Sequence, residues 1–229
     1  VVISDELYEA IVFDGDRVFA TIEAGRVGSA IGYLVTGTME PNLSALRIDP
    51  STLTEIEPQA ELSNMTDETL LVAGDRLVTI YEANGPAVNP DPVAHLFDMT
   101  LAPVGAIPFP SIEYRITDAT ALDSANRFWA VNYFFPGDTK LKPGEDPLAA
   151  NFGQGPTHAQ YTTVERLVEF QYDEEGISLT GAPPIQLALI DDDSSRNWEG
   201  IVRLDDRGFL LVTDKYPETI LGFVARSKE

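Results

Sequence analysis

Acidic side chains open four similar stretches of the sequence. The stretches read EAIVFDGDRVFATIEA, ETLLVAGDRLVTIYEA, DATALDSANRFWAVNY and EGIVRLDDRGFLLVTD. If the fold brings the leading acids together, four carboxylates repel one another and raise each other's pKa unless a cation compensates. Because oxygen-only ligand sets suit a hard cation, the pattern predicts a calcium site. Its candidate ligands are Glu9, Glu68, Asp118 and Glu199.

Repeated arginines give the same acids a structural interpretation. An arginine follows the leading acid after eight residues in the first, second and fourth stretches, and after nine residues in the third. A local ion pair, or a hydrogen bond from a backbone N–H, would then satisfy each carboxylate without a metal. The sequence leaves the structural and the metal-binding interpretations open. The repeated arginines are Arg17, Arg76, Arg127 and Arg207.

Further polar residues are candidates for chemistry at one face of the molecule. Asp214 and His158 are candidate general bases, although a single loop histidine is more often structural. Residues 191–193 are all Asp but lack the spacing of an EF-hand loop. No serine-hydrolase, Walker, dinucleotide or zinc-protease motif is present. A second polar set, at or next to the end of each second strand, comprises Glu23, Glu82, Asn132 and Asp214.

Short strands must position these residues. The 16 Pro and 17 Gly interrupt β-branched and aromatic runs, and long helical periodicity is almost absent. Each repeated stretch is typical of a β-hairpin, and the first three hairpins are each followed by two more candidate strands. After the first hairpin these are LSALRID and LTEIEPQAEL, and after the second VAHLFDM and LAPVGAIPF. After the third they are RLVEFQYD and ISLTGAPPIQLAL, and the fourth is followed by TILGFVA.

Four-stranded antiparallel units repeated around an axis predict an all-β protein with the β-propeller fold. We expect a single domain over residues 1–229 with four recognisable blades, the ring being closed by the N-terminal segment VVIS. Five or six blades, and an irregular β-sandwich, stay open as alternatives. Residues 135–163 are rich in Pro, Gly and Asn and form a long loop insertion. In a compact domain such a loop is functional or mobile.

Composition narrows the classes of function and partner. The net charge is −22, from 37 acidic and 15 basic residues, and such a surface repels nucleic acids and anionic membranes. There is no cysteine for disulfides, thiolate metal sites or nucleophilic catalysis. No apolar run approaches the roughly 20 residues of a membrane span. Because the chain starts at Val1, we expect a processed N-terminus and an extracytoplasmic protein, either periplasmic or secreted. We also expect a monomer.

Three segments resemble a known family of bacterial β-propellers. RNWEGIVRLDDRGFLLVTDKYPETILGFVA, ITDATALDSANRFWAVNYF and YEAIVFDGDRVFATIEA are similar to phytase-like esterase and SdiA-regulated proteins. This resemblance implies an exported propeller with a calcium-compatible channel. The blade starts EAI, DAT and EGI more distantly resemble calcium-dependent lactonases and phosphotriesterases of the gluconolactonase type. That likeness implies metal ligands at Glu9, Asp118 and Glu199, whereas the asparagine ligands of that family are not evident here.

Two functional hypotheses follow from the sequence. The first is an exported propeller that binds a small-molecule or protein ligand on its loop face, with at most a structural calcium ion. The second is a metal-dependent hydrolase of esters, lactones or phosphoesters, in which a calcium ion in the channel polarises the substrate oxygen. The sequence favours the first hypothesis, and it does not specify a substrate.

Overall fold

Four antiparallel sheets follow one another along the chain. The computed structural model describes residues 8–26, 29–143, 145–190, 195–214 and 218–226. The first sheet contains β1 (Tyr8–Asp14), β2 (Arg17–Arg26), β3 (Ser29–Met39) and β4 (Leu46–Ile56). The second contains β5 (Asp67–Ala73), β6 (Arg76–Tyr81), β7 (Val93–Asp98) and β8 (Pro103–Pro108). The third contains β9 (Arg115–Ala119), β10 (Arg127–Phe134), β11 (Val164–Asp173) and β12 (Gly176–Leu179), with β13 (Ile185–Gln186) also on β11. The fourth contains β14 (Trp198–Leu204), β15 (Gly208–Thr213) and β16 (Leu221–Ala225).

The sheets form a ring, which is the arrangement of a four-blade β-propeller. The first strands of successive sheets lie against one another: β1 contacts β5, β5 contacts β9, and β9 contacts β14. Each first strand is therefore the innermost strand of its blade, next to the central axis. The predicted all-β propeller is confirmed. The predicted closing strand, VVIS, lies outside the described residues.

Apolar side chains fill the spaces between neighbouring sheets. Phe19 and Leu34 of the first sheet pack with Leu70 and Leu77 of the second. A larger cluster joins the second and third sheets, and a third cluster joins the third sheet to the fourth. Packing sheet against sheet in this way fixes the angle between blades. The inner strands, and the acids that they carry, are thus held in fixed relative positions.

The structure differs from the predicted strands in the first and third sheets. The segment SAIGYLVTGTM forms β3, while LSALRID and LTEIEPQAEL, predicted as two strands, contribute to the single strand β4. A Cβ on Gly37 of β3 would lie 2.4 Å from the Arg47 carbonyl oxygen, so glycine here permits two strands to approach closely. The segment ISLTGAPPIQLAL forms the two short strands β12 and β13 instead of one.

The insertion at residues 135–163 is a loop with short helical pieces. It contains a 3₁₀ turn at Thr139–Leu141 and one short helix, α1 (Pro147–Phe152). Asp146 begins α1 because its side chain accepts hydrogen bonds from the backbone N–H groups of Leu148 and Ala149. Among the helices of the described residues, none has the length and hydrophobicity to cross a membrane.

Candidate functional site

The leading acids of the four repeats occupy equivalent irregularities in the inner strands. The pairing of β1 with β2 shifts by one residue between Tyr8 and Ala10, so that Glu9 is the extra residue. The same shift occurs in β5 at Glu68 and in β14 at Glu199. In β9 the register shifts opposite Val131 of β10, at the segment that contains Asp118. A β-bulge turns its extra side chain away from the regular alternation, and the repeat therefore encodes four bulges around one axis.

Glu9 lies among other carboxyl groups at the centre of the ring. Burial, together with the charges of Glu23, Glu199, Glu82 and Asp214, raises the pKa of Glu9 to about 8. These four neighbours come from the first, second and fourth blades. At neutral pH Glu9 is consequently a protonated acid that faces carboxylates.

Glu68 and Glu82 form a buried carboxyl pair beside Glu9. Burial raises the pKa of Glu68 well above its ordinary value, and the charges of Glu82 and Glu9 act in the same direction. Burial also raises the pKa of Glu82 to about 7, against the opposing effects of Arg115 and of a hydrogen bond with Glu68. Arg115 Nη1 lies 2.7 Å from Glu82 Oε1, and Arg115 Nε donates to Asp138 Oδ2 at 2.8 Å. Arg115 thus favours the carboxylate at Glu82, whereas burial favours the protonated form of Glu68.

Asp118 has a different role from the other leading acids. Its Oδ2 accepts a hydrogen bond of 2.8 Å from the backbone N–H of Ile201, which ties the third blade to the fourth. Burial raises the pKa of Asp118 to about 7, opposed by the hydrogen bonds from the Ile201 and Ala119 backbones. Asp118 is also the fourth of the five residues of β9, not the start of a strand. The structure therefore brings Glu9, Glu68 and Glu199 together, and it uses Asp118 to join two blades.

The second polar set contributes to the same centre. Glu23 lies within β2, and Glu82 and Asp214 directly follow β6 and β15. Asn132 lies within β10, where its side chain donates to the carbonyl oxygens of Glu113 and Arg115. Glu23, Glu82 and Asp214 therefore belong to the carboxyl cluster, whereas Asn132 supports the backbone next to Arg115.

The repeated arginines do not pair with the leading acids. Arg17 lies opposite Asp14, and Arg76 opposite Ala73, at the turn end of each hairpin. The acids lie at the other end of the same hairpins. Arg17 Nη2 instead donates to the Met99 carbonyl oxygen, and Arg127 pairs with Asp123 at 3.3 Å. Among the described residues, Arg115, which lies outside the repeat pattern, reaches the carboxyl cluster through Glu82.

His158 lies in the insertion and not with the carboxyl cluster. Its ring is buried, and Nε2 lies 3.2 Å from the backbone nitrogen and 3.1 Å from the carbonyl oxygen of Glu165.

A buried ion pair lies near His158. Arg166 pairs with Asp146, with Nη1 2.7 Å from Asp146 Oδ2. The sequence signal for Arg166 is the single basic residue of the strand segment VERLVEF, since a charge on a buried strand requires a partner. Residues 191–193 lie outside the described residues.

The carboxyl cluster has the donor chemistry of a hard-cation site without a preassembled ligand shell. Glu68 Oε2 is buried and has no hydrogen-bond partner in the part of the chain that the structure describes. An orphaned carboxyl oxygen among other carboxyls fits calcium or a similar cation. Within that part, however, no three His, Asp or Glu side chains are spaced to hold a metal ion. Cation binding would therefore require these side chains to turn towards one another.

Comparison with known proteins agrees with the fold. No protein-family model matches the chain, and no curated protein matches it significantly. The chain is similar to the structure of the RS223 β-xylosidase, with 10% identity and a TM-score of 0.54 over 98% of this chain and 79% of that one. It is also similar to the Pyrococcus horikoshii acylaminoacyl peptidase, with 11% identity and a TM-score of 0.40 over 97% of this chain and 33% of that one. A glycosyl hydrolase from Bacteroides ovatus matches with 7% identity and a TM-score of 0.38 over 94% and 82%. The chain is a β-propeller with hydrolases among its structural neighbours.

Proposed function

We propose that the protein hydrolyses glycosidic bonds with the carboxyl groups at the centre of the propeller. The observation that carries this proposal is Glu9, a half-buried acid that is protonated at neutral pH among carboxylates. Glycoside hydrolysis needs one protonated carboxyl group to donate to the leaving oxygen and one carboxylate to act as base or nucleophile. Environments that separate the pKa values of neighbouring carboxyls are how proteins assign these two roles.

The roles of the surrounding residues follow from charge. Glu9 is the acid, and Glu23, Glu199 and Asp214 are the candidate carboxylates, since their charges act on Glu9. The transition state of glycoside cleavage carries positive charge on the sugar ring. A cluster of carboxylates stabilises that charge more than it stabilises the neutral substrate, which is the condition for catalysis. The β-xylosidase activity of the matched propeller also supports this substrate class.

Replacing Glu9 with glutamine tests the proposed acid. Glutamine keeps the shape but cannot donate the proton, so kcat on unactivated glycosides should fall by about 10²–10⁴. Turnover of aryl glycosides with a good leaving group should fall much less, because such a leaving group departs with little protonation. The measurement is turnover of a panel of xylosides, arabinosides and glucosides with matched good and poor leaving groups.

The control for this experiment is Glu61→Gln, which changes an exposed acid outside the cluster. It should leave turnover unchanged. Aryl esters, lactones and phosphoesters complete the panel, since the sequence also predicts those classes. Absence of glycoside turnover, or equal loss on both kinds of leaving group, would contradict the assignment of Glu9 as the acid.

A calcium-binding function is the second candidate, favoured by the orphaned oxygen of Glu68. Glu9, Glu68 and Glu199 would be the ligands from the inner strands, with Glu82 beside them. A bound divalent cation would supply positive charge that ionises these acids and polarises a substrate oxygen. A calcium-binding function agrees with the resemblance to phytase-like and gluconolactonase-type propellers. The reaction that this resemblance implies is the hydrolysis of esters, lactones or phosphoesters.

Calcium is then expected to stabilise the fold against heat. At a hundredfold excess over Kd a ligand adds about 2.7 kcal/mol, which for a chain of this size raises Tm by roughly 5–10 °C. Tm should be compared in chelator and in added Ca²⁺, for wild type and for Glu68→Gln. The variant should lose most of the increase, while Glu61→Gln should keep it. Equal Tm in chelator and in calcium would remove this second candidate and leave the metal-independent one standing.

A further inference from the structure

A cavity lies beneath the insertion, apart from the carboxyl cluster. Its volume is about 240 Å³, below the roughly 300–1,000 Å³ of pockets for drug-sized ligands. Tyr114, Phe134 and Val164 contribute apolar surface from the third blade, and Tyr161 contributes a ring from the insertion. None of the inner-strand acids lines it. The cavity is therefore a second place where a small molecule fits.

The charged groups of this cavity are paired. Arg166 is 2% exposed, and its Nη1 and Nη2 contact the two carboxylate oxygens of Asp146 at 2.7 and 3.1 Å. Its Nε donates to Asn132 Oδ1 at 2.8 Å, so each of the three guanidinium nitrogens donates a hydrogen bond within the protein. The mouth carries one exposed lysine and one exposed glutamate, Lys142 and Glu145. The lining thus has no net charge to attract an ionic ligand.

Two polar atoms of the lining are left without partners. His158 is 7% exposed, and its Nδ1 has no hydrogen-bond partner among the described residues. Gln186 Oε1 is buried and equally without a partner there. Burial and the charges of Arg166 and Arg196 lower the pKa of His158, so its ring is neutral. A buried polar atom without a partner costs free energy, and a ligand with hydroxyl groups would remove that cost.

His158 and Gln186 both line the cavity. Gly155 packs closely behind them, since a Cβ added to it would lie 3.1 Å from His158 Nδ1 and 2.9 Å from Gln186 Cβ. A ligand in the cavity therefore meets both side chains. Because hydroxyl groups both donate and accept, they match either tautomer of the histidine and the amide oxygen.

We propose that this cavity binds one uncharged monosaccharide. A sugar ring has apolar faces for the tyrosine and phenylalanine rings and hydroxyl edges for His158 and Gln186. An anion meets one exposed lysine at the mouth, Lys142, but the buried cation, Arg166, is already neutralised by Asp146. A wholly apolar ligand would leave both polar atoms unsatisfied. The proposal stands apart from glycoside hydrolysis, since it uses none of the central carboxyls.

Sugar titration followed by NMR tests the proposal. The chain has two histidines, so the imidazole resonances of His158 can be assigned with a His95 variant and then read separately. D-xylose, L-arabinose, D-glucose and D-galactose are the uncharged probes, and glucuronate and glucosamine are the charged ones. We expect saturable shifts of the His158 resonances with at least one uncharged sugar, and none at His95.

Variants of the lining sharpen the test. Gln186→Leu should weaken sugar binding roughly tenfold, through one lost hydrogen bond. Gln160→Leu changes an exposed glutamine of the same insertion and should bind as wild type does; Tm of all variants checks folding. Glu9→Gln should retain sugar binding even when hydrolysis is lost. No saturable shift with any uncharged sugar, affinity unchanged in Gln186→Leu, or tighter binding of glucuronate than of glucose would overturn the proposal.

Discussion

Replacing Arg166 with methionine is expected to lower the free energy of unfolding by about 3–5 kcal/mol, the usual cost of breaking a buried ion pair from one side. Methionine fills most of the space of the arginine stem but supplies no donor. The Asp146 carboxylate then loses both of its contacts to the guanidinium, and Asn132 Oδ1 loses its donor. For a chain of this size the loss corresponds to a fall in Tm of roughly 6–20 °C.

A matched control and a double variant isolate the cause of this loss. Arg47 pairs with Glu40 at the surface with a side chain that is 72% exposed, so Arg47→Met should change stability by less than about 1 kcal/mol. Adding Asp146→Asn to Arg166→Met removes the unpaired charge and should recover part of the loss. The measurement is denaturant unfolding of the four proteins. An Arg166→Met variant within 1 kcal/mol of wild type would contradict a buried, two-sided ion pair that anchors the insertion.

The fold could be predicted from the sequence because each repeat is defined by residues that are close together along the chain. Each blade begins with a hairpin, and its turn and its alternation of apolar residues depend on neighbours along the chain. The leading acid of each repeat lies within the first strand and marks a bulge in its pairing with the second strand. Glu9, Glu68 and Glu199 therefore meet at the centre for a reason that the sequence already contains.

Contacts between distant segments could not be predicted in the same way. Arg115 reaches Glu82 from another blade, and Arg166 reaches Asp146 across the insertion. The repeat instead suggested Arg17 and its counterparts as partners of the acids. A hairpin places residues on either side of its turn opposite each other, so an arginine that directly follows the turn lies far from the acid at the strand's start. Equal spacing in sequence thus did not mean contact in space.

Asp118 shows where the repeat is not equivalent in chemistry. It opens its repeat as the other acids do, but its carboxyl group accepts a hydrogen bond from a backbone N–H of the next blade, that of Ile201. Burial raises the pKa of Asp118, Glu9 and Glu68 alike; backbone hydrogen bonds oppose this at Asp118, whereas the charges of neighbouring carboxyls add to it at Glu9 and Glu68. The type of residue at a repeat position therefore indicates a shared bulge, and the tertiary contacts decide its role.

The raised pKa values of the central acids predict that alkaline pH destabilises the fold. Glu9 has a pKa of about 8 in the folded protein against 4.5 for the free group. Between these pH values the folded state retains a proton that the unfolded state has released. The stabilisation is therefore complete below about pH 4.5, declines as pH rises, and is lost above about pH 8. Glu82, with a pKa of about 7, contributes in the same direction.

Glu9→Gln should remove this pH dependence because glutamine is neutral at every pH. The free energy of unfolding of the variant, relative to wild type, should rise by on the order of 3 kcal/mol between pH 5 and pH 8.5. Glu68→Gln should change the pH dependence in the same direction, since burial raises the pKa of its carboxyl well above the ordinary value. Taking the difference from wild type removes the contributions of the two histidines, which also titrate in this range.

Denaturant unfolding at five or six pH values provides the measurement, with Glu61→Gln as the control that should run parallel to wild type. If the free energy of unfolding of Glu9→Gln ran parallel to that of wild type across this pH range, Glu9 would be ionised in the folded protein at neutral pH. That result would contradict its role as the proton donor. Repeating the series in saturating calcium separates the two proposed functions. A cation held by the cluster would ionise these acids and flatten the wild-type curve, whereas a metal-independent acid would leave the decline between pH 5 and pH 8 in place.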